Sequence, residues 1–369
     1  MDIAYFLPTK IITGPGAMTG CKDELAALGR RALIVTGRSS AERSGALPDA
    51  VELLDGLRIQ YEIFREITAN PLLSDCERAG KQAAAMKADF LLAIGGGSVL
   101  DAAKAAAIYA ANPQVRGEAI YDLAHAHPAL PLVAVGITAG TGSEVTPYAV
   151  ITVDRTGKKR SITHRDCYPV LAVGDPKYTA TLPYSQTVST ALDALSHAIE
   201  GWFSPKANDL TDQMARRAVP LLWGGLCELS SEDKAITSRL RERLYYGSLY
   251  AGMVLNHCST GFPHPLGYPL TERFGIPHGK ACAAFLPDLA KRGAAFDDQR
   301  GRELWEMLGC TPDAFDSKIR LLADLPSIAV TEELLCDCYG RWENCKNFKN
   351  SPGGLTREEA LSLFRRRLS

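Results

Sequence analysis

The strongest constraint in this chain is a rhythm of short, unbroken apolar runs that end in glycine or hydroxyl residues. ALIVTG spans 32–37, DFLLAIGGG spans 89–97 and PLVAVGIT spans 131–138, and stretches such as 72–87 and 98–111 between them carry apolar residues at helical spacing. A run that is apolar at every position suits a strand covered by helices on both faces, so the first half is predicted to be a parallel βαβα layer of the nucleotide-binding type. Near 148–175 the pattern changes to YAVIT, the polar turn VDRTGKKR, SITH and LAVGD, which reads as a hairpin and a further strand. After Leu182-Pro183 the strands stop, and apolar residues recur at helical spacing through 187–203, 208–230, 232–257 and 279–292, with weaker helices to 367. At 369 residues the chain exceeds the size at which one core keeps growing. Two domains are therefore expected, an α/β domain over 1–184 and an all-helical domain over 185–369.

The balance of 41 basic against 42 acidic residues leaves a net charge of -1, which offers no broad basic surface for nucleic acid or an anionic membrane. The opening MDIAYFLPTKIITGPGAM lacks the pattern of a secretory leader, and no run approaches the roughly eighteen apolar residues of a membrane span, so a cytoplasmic location is expected. The ten cysteines are scattered; Cys336, Cys338 and Cys345 come nearest to a motif but form no CxxC pair, and all ten read as reduced thiols.

Ile94-Gly95-Gly96-Gly97-Ser98 follows a strand and opens a helix. Residues without a Cβ let a phosphate approach backbone N–H groups there, and the helix dipole favours its charge. Ser98 and Asp101 also have capping-box spacing, so the same residues read equally as a well-capped helix. A second turn, Thr138-Ala139-Gly140-Thr141-Gly142-Ser143-Glu144, again follows a strand and suits a pyrophosphate or ribose. Neither turn fits GxGxxG, which disfavours an ordinary Rossmann dehydrogenase.

In the second half, Asp193 and His197 stand at i and i+4 within ALDALSHAIEG, on one helix face. That spacing serves a divalent metal or an ordinary helix contact. His264 and His278 flank HPLGYPLTERFGIPH in a chain with only 7 histidines. Three imidazoles and a carboxylate, without a thiolate, suit Fe(II) or Zn(II), and the spacing alone does not choose between them.

GGGSVLDAAKAAA (95–107), TAGTGSEVTPYAVIT (138–152), DALSHAIEG (193–201) and FPHPLGYPLTERFGIPHGKACA (262–283) resemble, in order, the motifs of the iron-containing, group III alcohol dehydrogenases. The likeness runs from GPGA at 14–17 to NSPGGLTREEA at 350–360. It implies a dehydroquinate synthase-like fold, with an N-terminal dinucleotide-binding α/β domain and a C-terminal helical metal-binding and substrate domain. It also implies a homodimer that interconverts a small aldehyde and its primary alcohol with NADH or NADPH. Carried over by motif, Asp193, His197, His264 and His278 hold Fe(II) or Zn(II), and Asn70, Gly96, Gly97, Ser98, Thr138, Thr141, Lys159 and Leu182 contact the cofactor.

The chain departs from the family at Tyr268, where many members carry a histidine four residues after the third ligand. With an ordinary pKa near ~10, a tyrosine there is expected to be a substrate hydrogen-bond partner or cleft wall rather than a proton relay. His257 reads as either a structural residue or a neighbour of the cleft. Many NAD-preferring members place an aspartate directly after the strand's VT; here Gly37, Arg38 and Ser39 follow, which predicts that NADPH is accepted. Arg273 and Lys280, close to His278, predict a substrate with a carboxylate, phosphonate or sulfonate tail. Two alternatives stay open: a lyase or cyclase of the dehydroquinate synthase type, and a non-catalytic metal-binding protein.

Overall fold

The computed structural model describes residues 3–122, 127–229 and 235–368. The predicted helix ends at 230 and 232 lie outside the described residues. The chain divides into two compact units, Leu7–Leu182 and Pro183–Ser369, the latter including the first six residues.

The unit over Leu7–Leu182 is built on a parallel sheet of β1 (Lys10–Thr13), β2 (Arg31–Gly37), β3 (Gln60–Ile67), β4 (Phe90–Gly95), β5 (Leu132–Gly136) and β8 (Leu171–Gly174). Their order is β1-β8-β5-β4-β2-β3, while β6 (Tyr148–Thr152) and β7 (Lys159–Thr163) form a separate antiparallel hairpin. The unbroken apolar runs have the expected cause: alternate residues feed two cores. Leu33, Val35, Leu91 and Ala93 enter one cluster, while Ala32, Ile34, Phe90, Leu92 and Ile94 enter the other. The runs did not flag β1 and β3, because both are edge strands. In β3 the residues QYEIFREI alternate between exposed and partly buried, as one solvated side requires. From β2 the chain winds outward to β3, and from β4 it winds the other way to β5. The ends of β2 and β4 thus flank the reversal where open α/β sheets bind ligands.

Two helices set the turns in this unit, α1 (Leu73–Ala85) and α2 (Gly97–Ala111). The capping-box reading fails here. Gly96 is the N-cap of α2 and makes no side-chain cap. Asp101 turns inward instead, accepting from Ser143 Oγ (2.6 Å) and the Val150 N–H (2.9 Å). Lys104, fully buried on the same helix, donates from Nζ to Ser143 Oγ (2.8 Å), the Thr146 carbonyl (3.0 Å) and the Tyr148 carbonyl (2.6 Å). This buried cation and carboxylate tie the 138–146 turn and the hairpin to α2, and such groups are retained only when fully bonded.

The other unit is helical, with α3 (Tyr184–Trp202), α4 (Asp209–Glu228), α5 (Ser238–Cys258), α6 (Pro263–Phe274), α7 (His278–Ala283) and α8 (Glu332–Arg341) among its elements. From Thr187 to Trp202 nearly every residue of α3 is buried, so it is the central rod against which its neighbours pack. Tyr5 Oη donates to the Met253 carbonyl (2.9 Å) and Asn256 Nδ2 to the Phe6 carbonyl (2.8 Å), which fixes the first residues to α5. His257 lies 3.2 Å from Asn208 Nδ2 and against the Tyr5 ring, a structural role. No described helix is long and apolar enough to cross a membrane.

Candidate functional site

Three helices bring four donors together. Asp193 and His197 project from α3; His264 stands in the first turn of α6, behind Pro263, and His278 opens α7, behind Pro277. Glycines set the spacing between these helices. A Cβ on Gly279 would lie 1.8 Å from the Ser189 carbonyl oxygen on α3, and one on Gly267 would lie 2.8 Å from the Cys282 nitrogen on α7. Only a bare backbone permits this approach.

Asp193 Oδ1 is the convergence point. His264 Nε2 is 3.6 Å away, His197 Nε2 3.7 Å and His278 Nε2 3.8 Å, and the Nε2 atoms of His197 and His264 are 3.1 Å apart. Donors about 2.1 Å from one shared ion lie roughly 3–3.5 Å from each other, close to these spacings. Asp193, His197 and His264 are 4–5% exposed, and Asp193 Oδ1 is buried without a hydrogen bond among the described residues. An orphaned buried carboxylate oxygen is costly unless a cation meets it, so the residues fit a divalent metal. The His278 side chain, 33% exposed, leaves an open side.

Electrostatics support the same reading. Burial would raise the pKa of Asp193, but the neighbouring His197, His278 and His264 hold it well below the usual carboxylate range. Burial would lower that of His264, but Glu200 and Asp193 outweigh it and raise it to about 10. A histidine pKa raised above its ordinary 6.5 stabilises the metal-free fold fully below 6.5 and loses that contribution as pH rises through about 10. A metal must displace this proton. Uptake by metal-free protein is therefore expected to tighten by about tenfold per pH unit across that window, read by titration against a competing chelator. A pH-independent affinity would show that His264 binds without losing a proton.

Sequence reasoning missed two neighbours. Cys282 Sγ lies 3.6 Å from His278 Nδ1 and 3.7 Å from its Nε2, and its sulfur groups with donor atoms of Asp193, His264 and His278 within 4.8 Å. The donor set expected to lack a thiolate thus has a thiol beside it, and the i, i+4 step from His278 was the available signal. Glu200, wholly buried, accepts from His264 Nδ1 at 2.7 Å. Tyr268 stacks on His278 at 5.7 Å with 12° between the rings. Burial raises the pKa of its hydroxyl, which keeps it neutral and suits a wall or hydrogen-bond partner.

Arg273 is paired with carboxylates. Its Nη2 lies 3.1 Å from Asp337 and its Nη1 3.6 Å from Glu333, both on α8. Lys280 is half-buried on α7.

In the sheet unit, the two glycine turns meet. A Cβ on Gly96 would lie 3.0 Å from Thr138 Cγ2, and one on Gly97 would lie 2.6 Å from Thr141 Cγ2. Ser98 is in the first turn of α2. Asn70, at φ 54°, accepts through its carbonyl from Thr152 Oγ1 (3.4 Å), and Thr152 pairs with Lys159 across the hairpin, so both residues adjoin Thr152. Gly37 closes β2, with exposed Arg38 and Ser39 beyond it. Leu182 is half-buried, its N–H donating to the Thr179 carbonyl (3.1 Å).

A dinucleotide-type sheet and a buried carboxylate–histidine cluster define a metal-dependent oxidoreductase class, and comparison with known proteins agrees. Residues 8–176 match the iron-containing alcohol dehydrogenase family, and residues 187–327 match the C-terminal part of the Fe-containing alcohol dehydrogenase family. The 1,3-propanediol dehydrogenase of Klebsiella pneumoniae is 31% identical over 313 residues, 83% of this chain and 79% of that protein. The crystal structure of an iron-containing alcohol dehydrogenase from Thermotoga maritima superposes with a TM-score of 0.91 at 33% identity, covering 100% of this chain and 99% of that one. A sulfoacetaldehyde reductase from Bifidobacterium kashiwanohense, solved with NAD+, gives 0.86 at 29% identity, covering 100% and 99%. The chain belongs to the iron-containing alcohol dehydrogenase family. It has that family's fold, and the family makes it a metal-dependent alcohol dehydrogenase of the iron-containing kind.

Proposed function

We propose that this chain interconverts a small aldehyde and its primary alcohol at a metal held by Asp193, His197, His264 and His278. The observation that carries the reading is the orphaned Asp193 Oδ1, 3.6–3.8 Å from three imidazole nitrogens. When bound, Fe(II) or Zn(II) supplies Lewis acidity at the carbonyl or alcohol oxygen, and the nicotinamide supplies or takes the hydride. Asp193 contributes the charge that holds the cation, and the three imidazoles contribute neutral donors. Gly96 and Gly97, bare against Thr138 and Thr141, leave backbone N–H groups for the pyrophosphate, with Ser98, Asn70, Lys159 and Leu182 as further contacts. Tyr268 flanks His278 as wall or hydrogen-bond partner. In this reading residues 1–184 carry the cofactor and 185–369 carry the metal and substrate. The working form is a cytoplasmic homodimer, which light scattering would check.

Protein loaded with Fe(II) or Zn(II) is expected to consume NAD(P)H with propanal and butanal. Because Arg273 is held by α8, catalytic efficiency should be no higher for sulfoacetaldehyde, phosphonoacetaldehyde or succinic semialdehyde. Turnover without net NAD(P)H consumption would instead mark a lyase or cyclase.

Acceptance of NADPH is supported by the exposed Arg38 and Ser39 beyond Gly37, which stands where an aspartate would repel a 2′-phosphate. Arg38→Ala should raise KM for NADPH about tenfold, the worth of one charge-assisted hydrogen bond, and leave KM for NADH within about twofold. Equal effects on both cofactors would remove the argument. Gly37→Asp is a poorer probe, because a Cβ there would lie 3.2 Å from the Ile67 carbonyl oxygen.

A further inference from the structure

Glu200 is wholly buried near the end of α3, seven residues after Asp193 and three after His197, so the three share a helix face at i, i+4 and i+7. Both of its oxygens are used. Oε1 accepts from His264 Nδ1 at 2.7 Å, and Oε2 accepts from the Gly261 N–H at 2.7 Å. A carboxylate only accepts once ionised, so this contact fixes the proton of a neutral His264 on Nδ1 and leaves the Nε2 lone pair facing Asp193 Oδ1 and His197 Nε2. The charge count agrees, since Asp193 and Glu200 together balance a buried divalent ion.

We propose that Glu200 is a positioning residue of the metal centre, holding His264 in its metal-binding tautomer and orientation. The inference rests on the metal reading given above. A purely structural alternative exists, because Glu200 also braces the turn into α6. That turn has an independent brace: Ser351 Oγ accepts from the Phe262 N–H (2.9 Å) and donates to the Asn347 carbonyl (2.8 Å), touching neither His264 nor Glu200 in doing so.

Glutamine at 200 has one acceptor atom where glutamate has two. Its amide NH2 must face either the Gly261 N–H or His264 Nδ1, and in the second case it drives the histidine proton to Nε2. Glu200→Gln is therefore expected to weaken Zn(II) or Co(II) binding 10–100-fold, as measured by chelator competition on the full chain. In the Zn(II)-loaded protein, the His264 Nδ1–H resonance should shift and lose exchange protection relative to wild type, because a neutral amide replaces the carboxylate acceptor. Ser351→Ala, which loosens only the turn, should lower Tm and leave metal affinity within about threefold. Should Glu200→Gln not fold, Glu200→Asp serves in its place, since a carboxylate one methylene shorter cannot reach both donors. Wild-type affinity in the Glu200 variant, or equal weakening in Ser351→Ala, overturns the proposal. If wild-type protein itself takes up no stoichiometric metal, the reading of the centre falls and Glu200 falls with it.

Discussion

Asp193→Ala is expected to fold, to retain no stoichiometric metal after dialysis, and to lose at least about 10³-fold in kcat/KM, equivalent to about 4 kcal/mol of transition-state stabilisation. The size follows from the geometry. Asp193 Oδ1 is the atom nearest in common to His197, His264 and His278, and Asp193 is the only acid among the four proposed ligands. Without it, three imidazoles crowd a buried space with no anion to offset a cation. The metal-free variant should also lose some stability, because the Asp193 carboxylate lies 3.6–3.8 Å from three imidazoles and favours the protonated form of His264. Elemental analysis, melting temperature and steady-state kinetics check the three parts separately. Full activity after chelation in this variant would remove the metal reading.

Gly279→Ala, a change of one methyl group, is expected to cost about 3 kcal/mol or more and to empty the centre of metal. The added Cβ would lie 1.8 Å from the Ser189 carbonyl oxygen and 2.9 Å from Asp193 Cβ, both on α3. Backbone cannot yield as a flexible side chain can, so α3 and α7 must separate, and α7 carries His278 at the position before. Gly340→Ala provides the contrast. That glycine lies on α8 with nothing within 4 Å of an added Cβ, and alanine's better helix propensity should raise stability by roughly 0.5–1 kcal/mol. Thermal melts of the two variants, with metal content, settle the comparison. A Gly279→Ala protein with wild-type Tm and metal would show that the close approach of α3 and α7 is not required.

By itself, the sequence determined what local periodicity can carry. β2, β4 and β5 announced themselves as unbroken apolar runs, because a strand buried on both faces has no reason to alternate. The glycine turns stood out because backbone approach excludes a Cβ, and Asp193 with His197 because i and i+4 share a helix face. His264 and His278, 67 and 81 residues beyond His197, stood out as scarce histidines flanking one unusual stretch, and only the resemblance assigned them as ligands; no spacing rule links residues that far apart. Tertiary structure decided the rest. It paired Arg273 with α8, turned Asp101 and Lys104 inward onto the 138–146 turn, and set Cys282 and Glu200 beside the histidines. The physical reason is the range of the interactions. Helix and strand patterns depend on residues within a turn of one another, whereas the partner of a buried polar group depends on which distant segment packs against it. Glu200 and His264 are 64 positions apart in sequence yet hydrogen-bonded at 2.7 Å, and only packing could bring them together.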